Sequence, residues 1–190
     1  MSQDRLPPPG PEACLVRLRP SSQKGGTIVA TGTPEEVAAI VVEPVQGEGG
    51  YIVPPQEFLS GIERIARQHG ILIIADEVQC GMGRTGKMFA FEHFDAVPDL
   101  IVFAKGVNSG YVPLGGVIIS DEIAATFNDR VFPGGLTYSG HPLACASIVG
   151  SIDAMKEEGV VENAKRIGED VLGPGLRELA ERHKVIGEVR

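Results

Sequence analysis

The sequence predicts an α/β fold, a mostly parallel mixed sheet with flanking helices. Two apolar runs carry that prediction, Val37–Glu43 (VAAIVVE) and Ile71–Val78 (ILIIADEV), each strand-sized and free of polar residues until near its end. Such runs suit strands buried on both faces, as a parallel sheet requires. Between them, Pro54–His69 puts Phe58, Leu59, Ile62, Ile65 and Ala66 on one face at helical spacing, and Gly70 follows as a C-cap. Strand, helix and strand in this order form a right-handed parallel βαβ unit.

The alternation continues downstream. Met88–Phe94 reads as a short helix, and Leu100–Lys105 (LIVFAK) and Gly116–Ser120 read as the third and fourth strands. Asp121 is placed to cap a helix over Glu122–Asn128, and Pro142 to occupy the first turn of a helix running through Met155. Glu162–His183 has an amphipathic pattern interrupted at Gly173-Pro174-Gly175. Val185–Arg190 begins a further element, read as a strand. Residues 1–34, rich in Pro, Gly, Ser and Thr, read as an irregular N-terminal segment.

Composition narrows the function classes. A chain of 190 residues, 43% hydrophobic and 22% charged, with mean hydropathy +0.07, has the make-up of a soluble globular domain or part of one. No apolar run approaches the roughly 20 residues of a membrane helix, and Met1–Gly10 lacks the apolar core of a secretory signal. A cytoplasmic location without membrane attachment is the expectation. Net charge of −8, with no dense Lys/Arg run, argues against a nucleic-acid partner. Cys14, Cys80 and Cys145 are far apart and lack CxxC spacing, which disfavours a disulfide scaffold or a metal site and leaves them as buried small residues.

In open parallel sheets ligands bind beyond the carboxyl ends of the strands, and the polar residues of this chain collect there. The first predicted strand ends in Glu43, followed by Pro44-Val45-Gln46-Gly47-Glu48-Gly49-Gly50. The second ends in Asp76-Glu77-Val78-Gln79, before a loop holding Gly81, Gly83 and Gly86, and the third ends in Lys105-Gly106. Glycines at that edge permit close backbone approach to a bulky ligand. An acid and a lysine at neighbouring strand ends fit either a structural ion pair or a reactive pair, and pattern alone does not choose. Chemistry favours the second: a lysine leaving Ile101-Val102-Phe103-Ala104 is expected to be partly desolvated, which lowers its pKa and frees a nucleophilic amine. Pyridoxal phosphate needs such an amine for its aldehyde and a carboxylate opposite its ring nitrogen.

Several ordered motifs now resemble one family. Val42-Glu43-Pro44-Val45-Gln46-Gly47-Glu48-Gly49-Gly50, Ile74-Ala75-Asp76-Glu77-Val78-Gln79, Gly83-Arg84-Thr85-Gly86, Pro98-Asp99, Ala104-Lys105-Gly106, Pro113-Leu114-Gly115 and Thr137-Tyr138-Ser139-Gly140-His141-Pro142-Leu143-Ala144 are similar to the class III pyridoxal-phosphate aminotransferases. The resemblance runs from about Val37 to the C-terminus. It implies part of the large domain of the aspartate-aminotransferase-like fold, pyridoxal 5′-phosphate as cofactor, a homodimer, and amino transfer from a small-molecule amine to a 2-oxo acid. In those terms residues 35–160 belong to the cofactor-binding large domain, and 161–190 form a helix leading to a small C-terminal domain that this sequence does not contain.

Position by position, the resemblance gives Lys105 the role of the Schiff-base lysine that also moves a proton between substrate Cα and cofactor C4′. Asp76 is similar to the carboxylate paired with the ring nitrogen, Val78 to the residue on the ring face, and Gln79 to the one beside the phenolic oxygen. Thr137 matches the threonine given to the phosphate of the opposite subunit's cofactor. Glu43 and Glu48 resemble substrate-binding acids of the active site. His141, before a Pro-led helix, is read as structural, and Arg84 as a loop or dimer contact. Tyr111 and Tyr138 suit either a site wall or packing.

Two family features have no counterpart here: a Gly/Ser-rich phosphate-binding helix start with a ring-stacking aromatic upstream of Val37, and a carboxylate-binding arginine downstream. A fragment, or a truncated product, is therefore expected. The stretch through Pro98 is similar to 4-aminobutyrate and acetylornithine enzymes, whereas Val107–Pro113 and Gly135–Pro142 are nearer to taurine and β-alanine aminotransferases. The expected reaction takes an ω-amino acid or related amine as donor and pyruvate or 2-oxoglutarate as acceptor. The alternatives are an inactive remnant, an association module of a complete homologue, or an aminomutase or decarboxylase of the same family.

Overall fold

The computed structural model describes residues 14–18 and 33–189. Five strands form one sheet in sequential order: β1 (Cys14–Leu18), β2 (Val37–Val42), β3 (Leu72–Asp76), β4 (Leu100–Phe103) and β5 (Gly116–Ile119). β1 to β4 run parallel, and β5 pairs antiparallel with β4. The mixed, mostly parallel sheet expected from the apolar runs is therefore present. β1 is the addition: it falls within the segment read as irregular and aligns Leu15 with Ala39 and Leu18 with Val42.

α1 (Phe58–His69) crosses from β2 to β3 and closes the βαβ unit. Leu59, Ile62 and Ala66 recur at the three- and four-residue spacing of one helical face and are buried. They pack with Ile40, Val42, Ile71, Ile73 and Phe94 into the main core. Burying a leucine or isoleucine of this kind contributes about 2 kcal/mol. Ile65, expected on the same face, lies at its margin and is exposed. Gly70 ends the helix at φ 66°, a left-handed conformation suited to glycine, and its N–H donates to Ala66 O.

At the amino ends of β3 and β4 a polar clamp ties helix to sheet. Arg67 Nη1 donates to Asp99 Oδ1 at 2.8 Å and Nη2 to Glu63 Oε1 at 3.2 Å, while Asp99 Oδ2 accepts the Ile73 N–H at 2.8 Å. Asp99, of the Pro98-Asp99 motif, thus does structural work away from the carboxyl edge.

Several boundaries differ from expectation. The short helix is a 3₁₀ turn over Ala90–His93. α2 (Asp121–Ala125) is capped by Ser120, whose Oγ accepts the Ile123 N–H, so Asp121 is its first residue rather than its cap. α3 (Pro142–Glu157) starts at its proline as expected, with His141 Nδ1 accepting the Leu143 N–H at 3.2 Å. α4 (Val160–Ile167), a π-helical turn over Gly168–Leu172 and α5 (Gly173–Arg182) follow in continuous succession. Gly173-Pro174-Gly175 opens α5 instead of breaking a helix, because proline in a first turn lacks only an N–H that has no intrahelical partner there. Residues 185–189 form no strand. Cys80 is buried as expected but Cys145 is exposed, on the open side of α3. Among the described residues no helix is long and apolar enough to cross a membrane.

Candidate active site

Where β2, β3 and β4 end, the chain leaves the sheet through polar loops, and their side chains converge. A hollow of about 390 Å³ is lined by Glu43, Gln46, Glu48, Gly49, Asp76, Val78, Gln79 and Lys105. Six of the seven site residues expected from the sequence, Glu43, Glu48, Asp76, Val78, Gln79 and Lys105, thus meet in one place. Thr137 does not join them; it is exposed in the stretch before α3.

Each lining residue is held by its own loop. Glu43 follows the last β2 residue, and its Oε2 accepts the Gly47 N–H at 2.8 Å, curling the chain back on itself. Gln46 and Ile52 exchange backbone hydrogen bonds of 3.0 Å, so Glu48 sits near the tip of a tight, closed loop. A side chain at Gly47 would crowd Gln79: a Cβ there would lie 2.7 Å from Gln79 Cγ. Asp76 ends β3, and its Oδ1 accepts the Val78 N–H at 3.3 Å. Lys105 Nζ donates to Gln79 Oε1 at 2.5 Å, bridging the ends of β3 and β4.

Lys105 adopts φ 42°, which non-glycine residues seldom take and which costs on the order of 1 kcal/mol or more. This twist turns the chain out of β4 so that the side chain overhangs the hollow. The amine is exposed, contrary to the expected desolvation by its strand. The apolar run stops at Phe103, and Ala104 swings the backbone away before Lys105 is reached.

The residue passed over in the sequence is Glu77. It is fully buried, and its carboxylate accepts N–H bonds from Ala90 (2.9 Å) and Phe91 (2.8 Å) and the Cys80 thiol (3.2 Å). Burial pushes its carboxyl up from the ordinary 4.5, and the amide hydrogen bonds oppose that rise. The Cys80 thiol is pushed up to about 12, by burial first and the neighbouring Glu77 charge second. The available signal was an acid set between Ala75 and Val78 at a strand end, where burial demands partners.

This donor set fits the ring end of pyridoxal phosphate. A primary amine and a carboxylate share one hollow, with an apolar side chain at Val78 between polar ones. Among the described lining residues Lys105 is the one cation, so the hollow offers no second positive group for a phosphate.

Residues 24–190 match the family described as Aminotransferase class-III. The chain belongs to the class-III aminotransferases. Two curated relatives from Pseudomonas aeruginosa illustrate the similarity: 5-aminovalerate aminotransferase DavT is 48% identical over 159 residues, covering 83% of this chain and 36% of the relative. Putrescine–pyruvate aminotransferase is 45% identical over 157 residues, covering 82% of this chain and 34% of the relative. Among solved structures, taurine:2-oxoglutarate aminotransferase from Bifidobacterium kashiwanohense, in complex with PLP and glutamate, superimposes with a TM-score of 0.80 at 48% identity, covering 83% of this chain and 35% of that one. The likeness places the chain in the aspartate-aminotransferase-like fold. This class-III chain spans about a third of the length of the curated relatives it matches.

Proposed function

We propose that the chain carries the core of a pyridoxal-phosphate-dependent transaminase, moving an amino group from an ω-amino acid or related amine to pyruvate or 2-oxoglutarate. The observation that carries the proposal is the meeting of Lys105 and Asp76 in one hollow at the carboxyl edge of the sheet. Bound pyridoxal phosphate supplies an aldehyde and an electron sink. The Asp76 carboxylate, on the wall of the hollow, would hold the ring nitrogen and keep a proton there. Gln79 Oε1 keeps the Lys105 amine at the edge of the hollow, so that Nζ is positioned to take a proton from the donor's carbon and return it. Val78 would hold one face of the ring and exclude water there. Glu43 and Glu48 form the acidic side of the hollow, suited to an amine substrate.

The donor class is supported by the relatives' printed names, which span 5-aminovalerate, putrescine and taurine. Residues 35–160 serve as the cofactor-binding part, and residues 161–190 lead toward a small domain. The proposed active form is a cytoplasmic homodimer in which Thr137, exposed and away from its own chain's hollow, reaches the phosphate of the opposite subunit's cofactor.

A second reading, an association module or inactive remnant, is favoured by the single cation in the hollow, because phosphate is ordinarily held by several N–H groups or cations. One experiment separates the two. The purified chain is given pyridoxal phosphate, visible absorbance is recorded, and 5-aminovalerate, putrescine or taurine is offered with each 2-oxo acid. A bound-cofactor band that disappears in Lys105→Ala, with amino transfer to the 2-oxo acid, supports the transaminase. A folded chain with no band supports the module.

A further inference from the structure

Glu77 is the largest fully buried side chain of the described residues, and the proposed chemistry gives it nothing to do. As the residue after Asp76 along the strand it projects to the opposite side, and its N–H extends the ladder by donating to Val102 O at 2.9 Å. Its carboxylate spans a gap in sequence: Oε1 accepts from Phe91, and Oε2 from Ala90 and from Cys80 Sγ. The 3₁₀ turn Ala90–His93 is thereby fastened to the back of the turn that carries Asp76, Val78 and Gln79. Gly81 seals the same turn. Its N–H donates to Glu77 O at 2.9 Å, and a Cβ there would stand 2.7 Å from that oxygen.

We infer that Glu77 is a positioning residue: by holding the Asp76–Gln79 turn from behind, its buried carboxylate sets the contact between Gln79 and Lys105. The inference rests on the transaminase reading for its significance but not for its test. A glutamine at 77 keeps the size of the side chain yet turns an NH₂ group toward one of the backbone donors, so one acceptor becomes a repelling donor. The turn loosens, and Gln79 releases the Lys105 amine.

The test measures how fast an amine-acylating reagent labels Lys105 in the cofactor-free full chain, read by mass spectrometry. Glu77→Gln is expected to raise that rate about fivefold, the loss of roughly one hydrogen bond. Glu92→Ala is the structural control, because Glu92 Oε1 caps the same 3₁₀ turn through the Phe89 N–H at 2.7 Å and acts on Glu77 only through its charge, with no hydrogen bond to it. It is expected to leave the rate unchanged. Should Glu77→Gln not fold, Cys80→Ala removes one donor from the carboxylate and is expected to raise the rate in the same direction, by a smaller factor. Unaltered Lys105 labelling in whichever of these two variants folds, or an equal rise in Glu92→Ala, overturns the inference. Protection of Lys105 by pyridoxal phosphate in the unsubstituted chain reports separately on the transaminase reading.

Discussion

Lys105 Nζ and Gln79 Oε1 join the ends of two adjacent parallel strands with a hydrogen bond of 2.5 Å. β3 and β4 are registered side by side, Asp76 against Val102, so three residues beyond that pair on each strand bring an amine and an amide carbonyl into contact. The site is thus a product of sheet register as much as of motif.

The strained backbone at Lys105 predicts opposite effects on stability and activity. Lys105→Gly is expected to abolish the proposed amino transfer while leaving the fold as stable as before, or more stable by about 1 kcal/mol, because glycine takes φ 42° without a Cβ clash. Urea denaturation followed by circular dichroism checks this. A loss of stability beyond 1 kcal/mol would mean that the lysine supports the fold.

Gly47→Ala is expected to act on the site. Its added methyl meets Gln79 Cγ at 2.7 Å, so Gln79 must shift, and its contact with Lys105 is expected to be disturbed. Retention of pyridoxal phosphate, followed by equilibrium dialysis, should weaken by tenfold or so, with the denaturation midpoint shifted only slightly. By contrast, Gly61, in the middle of α1, has nothing within 4 Å of an added Cβ. Gly61→Ala is expected to stabilise the chain by roughly 0.5–1 kcal/mol with no effect on cofactor retention.

Alkaline pH should weaken the fold through Cys80. Its thiol is raised from the ordinary 9.0 to about 12, so between those values the folded state holds a proton that the unfolded state has released. Stability is therefore complete below pH 9 and falls as pH rises toward 12. Thermal melts of the parent and of Cys80→Ala across that window should diverge, with the variant showing the flatter slope. At neutral pH the buried, protonated thiol should resist alkylation while exposed Cys145 reacts. Fast labelling should therefore be reduced by Cys145→Ser and not by Cys80→Ser.

Arg67→Ala should destabilise without touching the hollow. The guanidinium serves Asp99, Glu63 and the Val97 carbonyl from a site about a quarter exposed, and truncation leaves Asp99 without its cationic partner. A cost of about 2 kcal/mol is expected, below that for a fully buried pair. Denaturant titration measures it, and an unchanged cofactor affinity is the accompanying result.

The βαβ unit was readable because Val37–Val42 and Leu72–Ala75 are apolar along their whole length and α1 repeats its apolar residues at three and four. The converging site was readable for the same reason: the polar residues that close those runs are forced to one edge. What was hidden depended on contacts distant in sequence. The Cys14–Leu18 strand is five residues inside a Pro- and Gly-rich stretch, and pairing with β2, rather than its own pattern, makes it a strand. Glu77 looked like one more strand-end acid until the Ala90 and Phe91 amides arrived from the next loop. The exposure of Lys105 turned on two backbone angles, at residues 104 and 105, which apolar patterning does not encode.

Asp99, the anchor of the Arg67 clamp, lies beside Ile73, and Asp76 follows three residues further along β3. At about 3.3 Å per residue that places the two carboxylates roughly 10 Å apart along the strand, on opposite rims of the sheet. Substitutions that far apart usually combine additively. The scaffold can accordingly be hardened against heat at one rim while the hollow is altered at the other, each change being selected on its own merits.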